Sequence, residues 1–244
     1  MRPVDRGASP ISGDFSHYDQ AQPYLVSRLG PYCSYCERRI ATNLAVEHIE
    51  PKGGPHGKPA LTGVWTNFLL ACVNCNSTKR DRAVDPTQVY FPDRDNTLVA
   101  FEYTSDGDVR PHPELAAGQQ AIAEATLALV GLDERRRPQT DENGRLVALQ
   151  RWSQRKQAWA VAEHSRALLT ESGRSSEVIE IIGNLAAATG LFSIWMIVFQ
   201  DDIEMRCRFL HVFKGTSPDC FDWATTAPIS PRPAVPELVG SGKI

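Results

Sequence analysis

The chain has 244 residues and a formal net charge of −3, with 42% hydrophobic and 23% charged residues. That composition suits a soluble globular protein with a sizeable core, and it excludes a histone-like polycation, so any nucleic-acid contact has to come from a local patch. The most apolar run, residues 191–199, is nine long, against the roughly 20 that a membrane-spanning helix needs; with a polar, leaderless first 14 residues, the chain reads as cytoplasmic, without membrane contact.

In chain order, residues 1–14 read as a flexible arm rich in Gly, Pro and Ser. Residues 21–29 read as a short helix, with Pro23 in its first turn and Gly30 as its stop. Residues 45–50 are strand-like and end at Pro51. Residues 52–62 form a Gly- and Pro-rich loop, 65–71 are mostly apolar, and 76–82, polar and basic, begin a helix. Residues 98–103 are a strand candidate, followed by the turn signal Ser105-Asp106-Gly107-Asp108. Helices are expected over 115–130, over 144–169 (Leu146, Leu149 and Trp152 three apart), and over 178–186, where Ser176 is the cap and Gly190 the stop. Residues 194–213 read as one further helix, and 228–244, with four prolines, as a disordered tail. The organisation expected is therefore an arm and short helix (1–30), a cysteine-bearing unit (31–92), a hairpin with a helical region (93–227), and the tail (228–244).

Four of the six cysteines form two C-x-x-C pairs, Cys33/Cys36 and Cys72/Cys75, while Cys207 and Cys220 stand alone and read as structural. In a reducing compartment such pairs point to a tetrahedral zinc rather than to disulfides. The 35 residues from 37 to 71 are more than a compact zinc ribbon needs. Inside that frame lie Glu47-His48, Asn67 and, directly after the last cysteine, Asn76. His48 suits a general base: it is neutral near pH 7, with one ring nitrogen free to take a proton.

Three segments carry a family resemblance: Cys33-Ser34-Tyr35-Cys36; Val46-Glu47-His48-Ile49-Glu50-Pro51-Lys52; and Trp65-Thr66-Asn67-Phe68-Leu69-Leu70-Ala71-Cys72-Val73-Asn74-Cys75-Asn76-Ser77-Thr78-Lys79. In order and spacing they resemble the HNH, or ββα-metal, endonucleases. The wider sequence is similar to the small HNH nucleases that accompany an ATPase in Septu- and retron-type anti-phage systems. The resemblance implies an α+β fold, with a zinc-braced ββα unit and a mainly helical C-terminal region. It implies Glu47 and Asn76 as ligands of a catalytic divalent cation, His48 as base, and Asn67 as the residue pinning the loop. Asn74 competes with Asn76 by position; Asn76 follows the last cysteine as the third motif letter does. Glu replaces the more usual Asp before the histidine, and Asn the more usual His at the last position. Two oxygen ligands favour Mg²⁺ or Mn²⁺ there.

Lys52, Lys58, Lys79, Arg80 and Arg82 surround the motif and read either as phosphate contacts or as a solvated basic face. Residues 1–90 hold ten Lys/Arg and eight Asp/Glu, a slight basic excess. His56 reads as a loop histidine that could touch substrate. Arg135-Arg136-Arg137 and Arg151-Trp152-Ser153-Gln154-Arg155-Lys156, with Trp159, read either as a charged stacking surface or as core tryptophans beside solvated charges. The expected activity is metal-dependent hydrolysis of DNA alongside an ATPase partner. The alternatives are RNA cleavage, for example of tRNA, at the same site, and a non-catalytic zinc module, for which Glu47, His48 and Asn76 would not be needed together. A double-strand break would take two copies, as in a homo-oligomer, or two encounters.

Overall fold

The two C-x-x-C pairs flank a short antiparallel ribbon in sequence, one before its first strand and one after its second, and strand pairing brings them to the same end. The computed structural model describes residues 1–133, 139–140, 146–147 and 150–244. After a 3₁₀ turn at Tyr18–Ala21, helix α1 (Gln22–Leu29) buries Leu25 and Leu29 and ends at Gly30, whose φ is +74°. Strand β1 (Ala45–His48) pairs antiparallel with β2 (Phe68–Ala71), setting Glu47 opposite Leu69 and His48 opposite Phe68. The strand stops two residues before the expected end at Glu50: the chain turns where Asn67 grips the backbone of Glu50. Helix α2 (Val73–Lys79) starts immediately after Cys72, three residues earlier than the polar composition suggests, so the second C-x-x-C pair is part of the helix start. Ribbon and helix together form the expected ββα unit.

Helix α3 (Thr97–Ala100) takes up the first part of the expected strand over 98–103. Only Phe101–Tyr103 (β3) is extended, and it pairs with β4 (Val109–Pro111) across the expected turn. The turn needs glycine: Gly107 has φ +83°, and a Cβ there would lie 2.3 Å from the Trp152 carbonyl oxygen. Helix α4 (Ala117–Val130) agrees with expectation within two residues. The expected helix over 144–169 is corrected at its start. Gln139–Thr140 (β5) pairs with Leu146–Val147 (β6), and the helix, α5 (Arg151–Ser172), begins at Arg151; Leu149 lies outside the described residues. The spacing of Leu146 and Leu149 ahead of a true helix extended its apparent period backwards.

Helix α6 (Ser176–Thr189) is capped by Ser175, whose hydroxyl accepts the Val178 amide, rather than by Ser176. The single helix expected over 194–213 is two. Helix α7 (Phe192–Val198) ends at Phe199, and α8 (Ile203–Val212) restarts where the Asp202 carboxylate accepts the Met205 amide at 3.0 Å. Helices α5 to α8 pack around Trp195, which is fully buried against Phe199 and Phe209. Among the described residues, no helix is long and apolar enough to cross a membrane.

Both terminal segments correct the sequence reading. The expected flexible arm is stapled down by buried arginines: Arg2 donates to Leu29 O, Phe213 O and Lys214 O, and Arg6 donates to Thr66 O and Phe68 O. The expected disordered tail is irregular but packed. Its Arg232 donates to Val4 O and Pro92 O, Asn96 donates to Ile229 O, and Lys243 pairs with buried Asp95 at 2.9 Å. Four prolines forbid regular structure; they do not forbid docking, because Pro costs little backbone entropy to fix.

Candidate active site and metal centre

Pairing β1 with β2 places the first C-x-x-C pair beside the second. The Sγ atoms of Cys33, Cys36, Cys72 and Cys75 all lie within 4.8 Å of one another, and all four residues are buried. No cysteine is disulfide-bonded. Zinc–sulfur bonds of about 2.3 Å in a tetrahedron put sulfurs roughly 3.8 Å apart, and Cys36 and Cys72 are 3.6 Å apart. Four soft thiolates in this spacing fit zinc.

The His48 ring lies at the end of β1 between two aromatic edges, Tyr18 at 4.9 Å and Phe68 at 5.2 Å. Its Nε2 is 3.0 Å from the Thr62 carbonyl oxygen. A carbonyl only accepts, so Nε2 carries the proton and Nδ1 keeps its lone pair. Burial pushes the His48 pKa below its ordinary value; the Thr62 bond opposes this, and the Lys52 and Lys79 charges reinforce it. The imidazole is therefore neutral at pH 7.

Asn67 does what a loop-pinning residue must do. Its Oδ1 accepts the Glu50 amide at 2.8 Å, and its Nδ2 donates to Glu50 O at 3.0 Å and Leu61 O at 3.3 Å. It thus ties the turn after β1 to the loop that ends at Thr62. Glu47, His48 and Asn76 line one cleft of about 460 Å³, together with Tyr18, Lys52, Arg80 and Asp81. Asn74 does not line it; its side chain is exposed and accepts from Arg38.

Lys79 corrects the expected phosphate-contacting set. It is 1% exposed, donates to His48 O at 2.7 Å, and lies 2.7 Å from Glu47 Oε1. One turn of α2 carries it inward beneath β1, so it faces protein rather than substrate. Glu47 Oε1 is buried and, despite that short ion pair, makes no well-aligned hydrogen bond. Burial raises the Glu47 pKa, with Lys79 opposing. A carboxylate has about four lone-pair sites, so pairing with Lys79 leaves Glu47 capacity for a cation. The Asn76 oxygen is of the same hard kind, and this donor set fits a divalent cation such as Mg²⁺ or Mn²⁺.

Among the other basic residues, Lys52 lines the cleft with Nζ 3.3 Å above the Tyr18 ring, and Arg80 lines it exposed. Arg82 is turned towards Ala128 O, and Lys58 pairs with Glu50. His56 is exposed and outside the cleft lining. Of the second basic cluster, Trp159 packs on the core as the structural alternative has it, but Arg155 is buried against Gly107 O and Leu132 O instead of facing water. Arg135, Arg136 and Arg137 lie outside the described residues. Sequence reasoning missed Tyr18 and Thr62: Tyr18 comes from a distant 3₁₀ turn, and Thr62 contributes only a main-chain atom, which no residue type signals.

The ββα unit, braced by four thiols, holds a neutral histidine at its strand end in one cleft with a carboxylate and an amide side chain, the arrangement expected of a ββα-metal unit. Residues 33–82 match the HNH endonuclease family. The chain is also 27% identical over 145 residues to a retron Vc95 protein of Vibrio cholerae serotype O1 biovar El Tor, named as a putative HNH endonuclease; the match covers 53% of this chain and 68% of that one. Site and similarities together support a nuclease, a hydrolase of phosphodiester bonds.

Proposed function

We propose that the protein is a divalent-cation-dependent HNH endonuclease that hydrolyses DNA. The observation that carries this reading is the His48 ring, locked through Nε2 on Thr62 O, with Nδ1 left as acceptor in the cleft shared with Glu47 and Asn76. In this reading His48 Nδ1 takes the proton from the attacking water, a role worth about 10²–10⁴ in rate. Asn67 holds the loop that holds the ring. Lys52 and Arg80 contact substrate phosphates without reading sequence. Glu47 and Asn76 would hold the cation, which when bound would supply charge stabilisation to the reacting phosphate. Four thiolates hold a structural zinc whose binding energy is folding energy for the small ββα unit.

The retron in the relative's name supports a role in anti-phage defence, and the resemblance to ATPase-linked nucleases supports an ATPase partner. The decisive experiment incubates purified protein, with and without an ATPase encoded beside it, on duplex DNA, single-stranded DNA and RNA with Mg²⁺, Mn²⁺ or EDTA. Cleavage of DNA that EDTA abolishes, and that His48→Ala abolishes at unchanged zinc content, is expected. Cleavage confined to RNA would move the substrate, and normal cutting by His48→Ala would end the mechanism.

A further inference from the structure

Two arginines reach the sulfurs of the four-cysteine cluster. Arg38, two residues past Cys36, directs Nε to Cys36 Sγ at 3.4 Å and Nη2 to Cys72 Sγ at 3.2 Å. Arg151, the first residue of α5, directs Nη1 to Cys75 Sγ at 3.2 Å. They come from different parts of the chain and together serve three of the four sulfurs. Among the described residues neither has a carboxylate partner within ion-pairing distance.

We propose that Arg38 and Arg151 belong to the metal centre, as outer cations that offset its charge, so that zinc retention and the docking of α5 are one coupled event. The proposal rests on the zinc reading of the cluster. Four thiolates around Zn²⁺ leave a net charge of about −2, and buried charge is costly unless compensated. Two guanidinium groups supply that compensation. Hydrogen bonds to ligating atoms from the surrounding shell are worth about 10–100-fold in metal affinity.

The remaining donors of both arginines explain the coupling. Arg151 also gives Nη1 to Val130 O at 2.7 Å and Nη2 to Gly131 O at 2.5 Å, closing the carbonyl end of α4. Arg38 gives Nη1 to Gln154 Oε1 on α5 at 2.7 Å and Nη2 to Asn74 Oδ1 on α2 at 2.9 Å. The end of α4, the start of α5 and the knuckles of the ββα unit therefore meet at two forked side chains. Arginine's planar fork spreads five donors over three nitrogens in fixed directions, whereas a lysine would have to reach sulfur and carbonyls from a single atom. No spacing signals this arrangement, since 76 positions separate Cys75 from Arg151.

The test uses the zinc-loaded full chain. Zinc affinity is measured by competition with a chromophoric chelator, and the thiolate-to-metal charge-transfer band is recorded after cobalt substitution. R38Q and R151Q are each expected to weaken zinc binding about 10–100-fold and to move the cobalt band to lower energy. R38K keeps the charge and should fall between wild type and R38Q; R174Q, far out on the surface, should match wild type. Lower thermal stability of R151Q with unchanged affinity and band would make Arg151 a helix cap only, and would overturn its part. Should R151Q not fold, R38Q decides, because its other partners are side chains; unchanged affinity in R38Q overturns the proposal. Wild-type protein that binds no zinc would instead refute the zinc reading itself.

Discussion

At the scale of single residues, the Lys79–Glu47 pair is the most consequential contact in the ββα unit. Both groups are buried, and removing one partner strands the other's charge. Lys79→Met should therefore cost about 3–5 kcal/mol in urea unfolding, and adding Glu47→Gln should recover a substantial part; a neutral Lys79→Met would show that the pair carries no weight. Asn67→Ala leaves the Glu50 amide without its partner and should cost about 1–3 kcal/mol, with slowed cleavage because the loop bearing Thr62 is released. For His48 the sign is fixed by its depressed pKa: only the neutral ring accepts a proton, so kcat/KM should be flat through neutral pH and fall on acidification, with its midpoint below the ordinary value of about 6.5. A midpoint above that value would contradict the buried geometry. The cysteines, His48 and Asn67 were legible in the sequence because each residue type carries its own chemistry at a fixed spacing. Lys79 was not, since helical spacing puts it near Asn76 without saying which way a flexible side chain of four methylenes turns.

Elements were legible where one period ran from cap to stop, as in α6, and misread where an apolar run crossed a boundary. The break between α7 and α8 shows why. Residues 194–213 are apolar enough to read through, but Asp202 offers its carboxylate to the Met205 amide and starts a new helix. The same carboxylate takes both Nη atoms of Arg174, at 2.7 and 2.8 Å, tying the segment between α5 and α6 to the start of α8. Burial raises the Asp202 pKa, but Arg174 and the Met205 amide outweigh it, and the net shift is downward. Its stabilising contribution is thus present above the unfolded-state value of about 3.9 and lost as pH falls through the lower folded value. Asp202→Ala should cost about 1 kcal/mol as a lost helix cap, measured by thermal unfolding at neutral pH, and the difference from wild type should shrink in strong acid. A constant difference at all pH values would place the effect elsewhere.

At the scale of the molecule, composition misled at both ends. Gly, Pro and Ser mark the absence of regular structure, which is not absence of order. What orders residues 1–6 and 228–244 is a set of buried arginines bonded to main-chain carbonyls, which leaves no periodicity to detect. Removing residues 228–244 takes away Lys243 from buried Asp95 and an acceptor from Asn96. The truncated chain should lose cooperative unfolding or unfold at markedly lower urea; wild-type stability would show the packed tail to be dispensable. The loop that ends at Thr62 obeys the same main-chain logic. The tautomer of His48 is set by a carbonyl oxygen at Thr62, and every amino acid has one. Apart from Lys52, which lines the cleft, and glycines such as Gly57, whose Cβ would lie 2.6 Å from the Gly53 backbone, the side chains from 53 to 62 are free to diversify while the Thr62 carbonyl keeps its hold on His48. An engineer wishing to retune where such an enzyme cuts would randomise that stretch first.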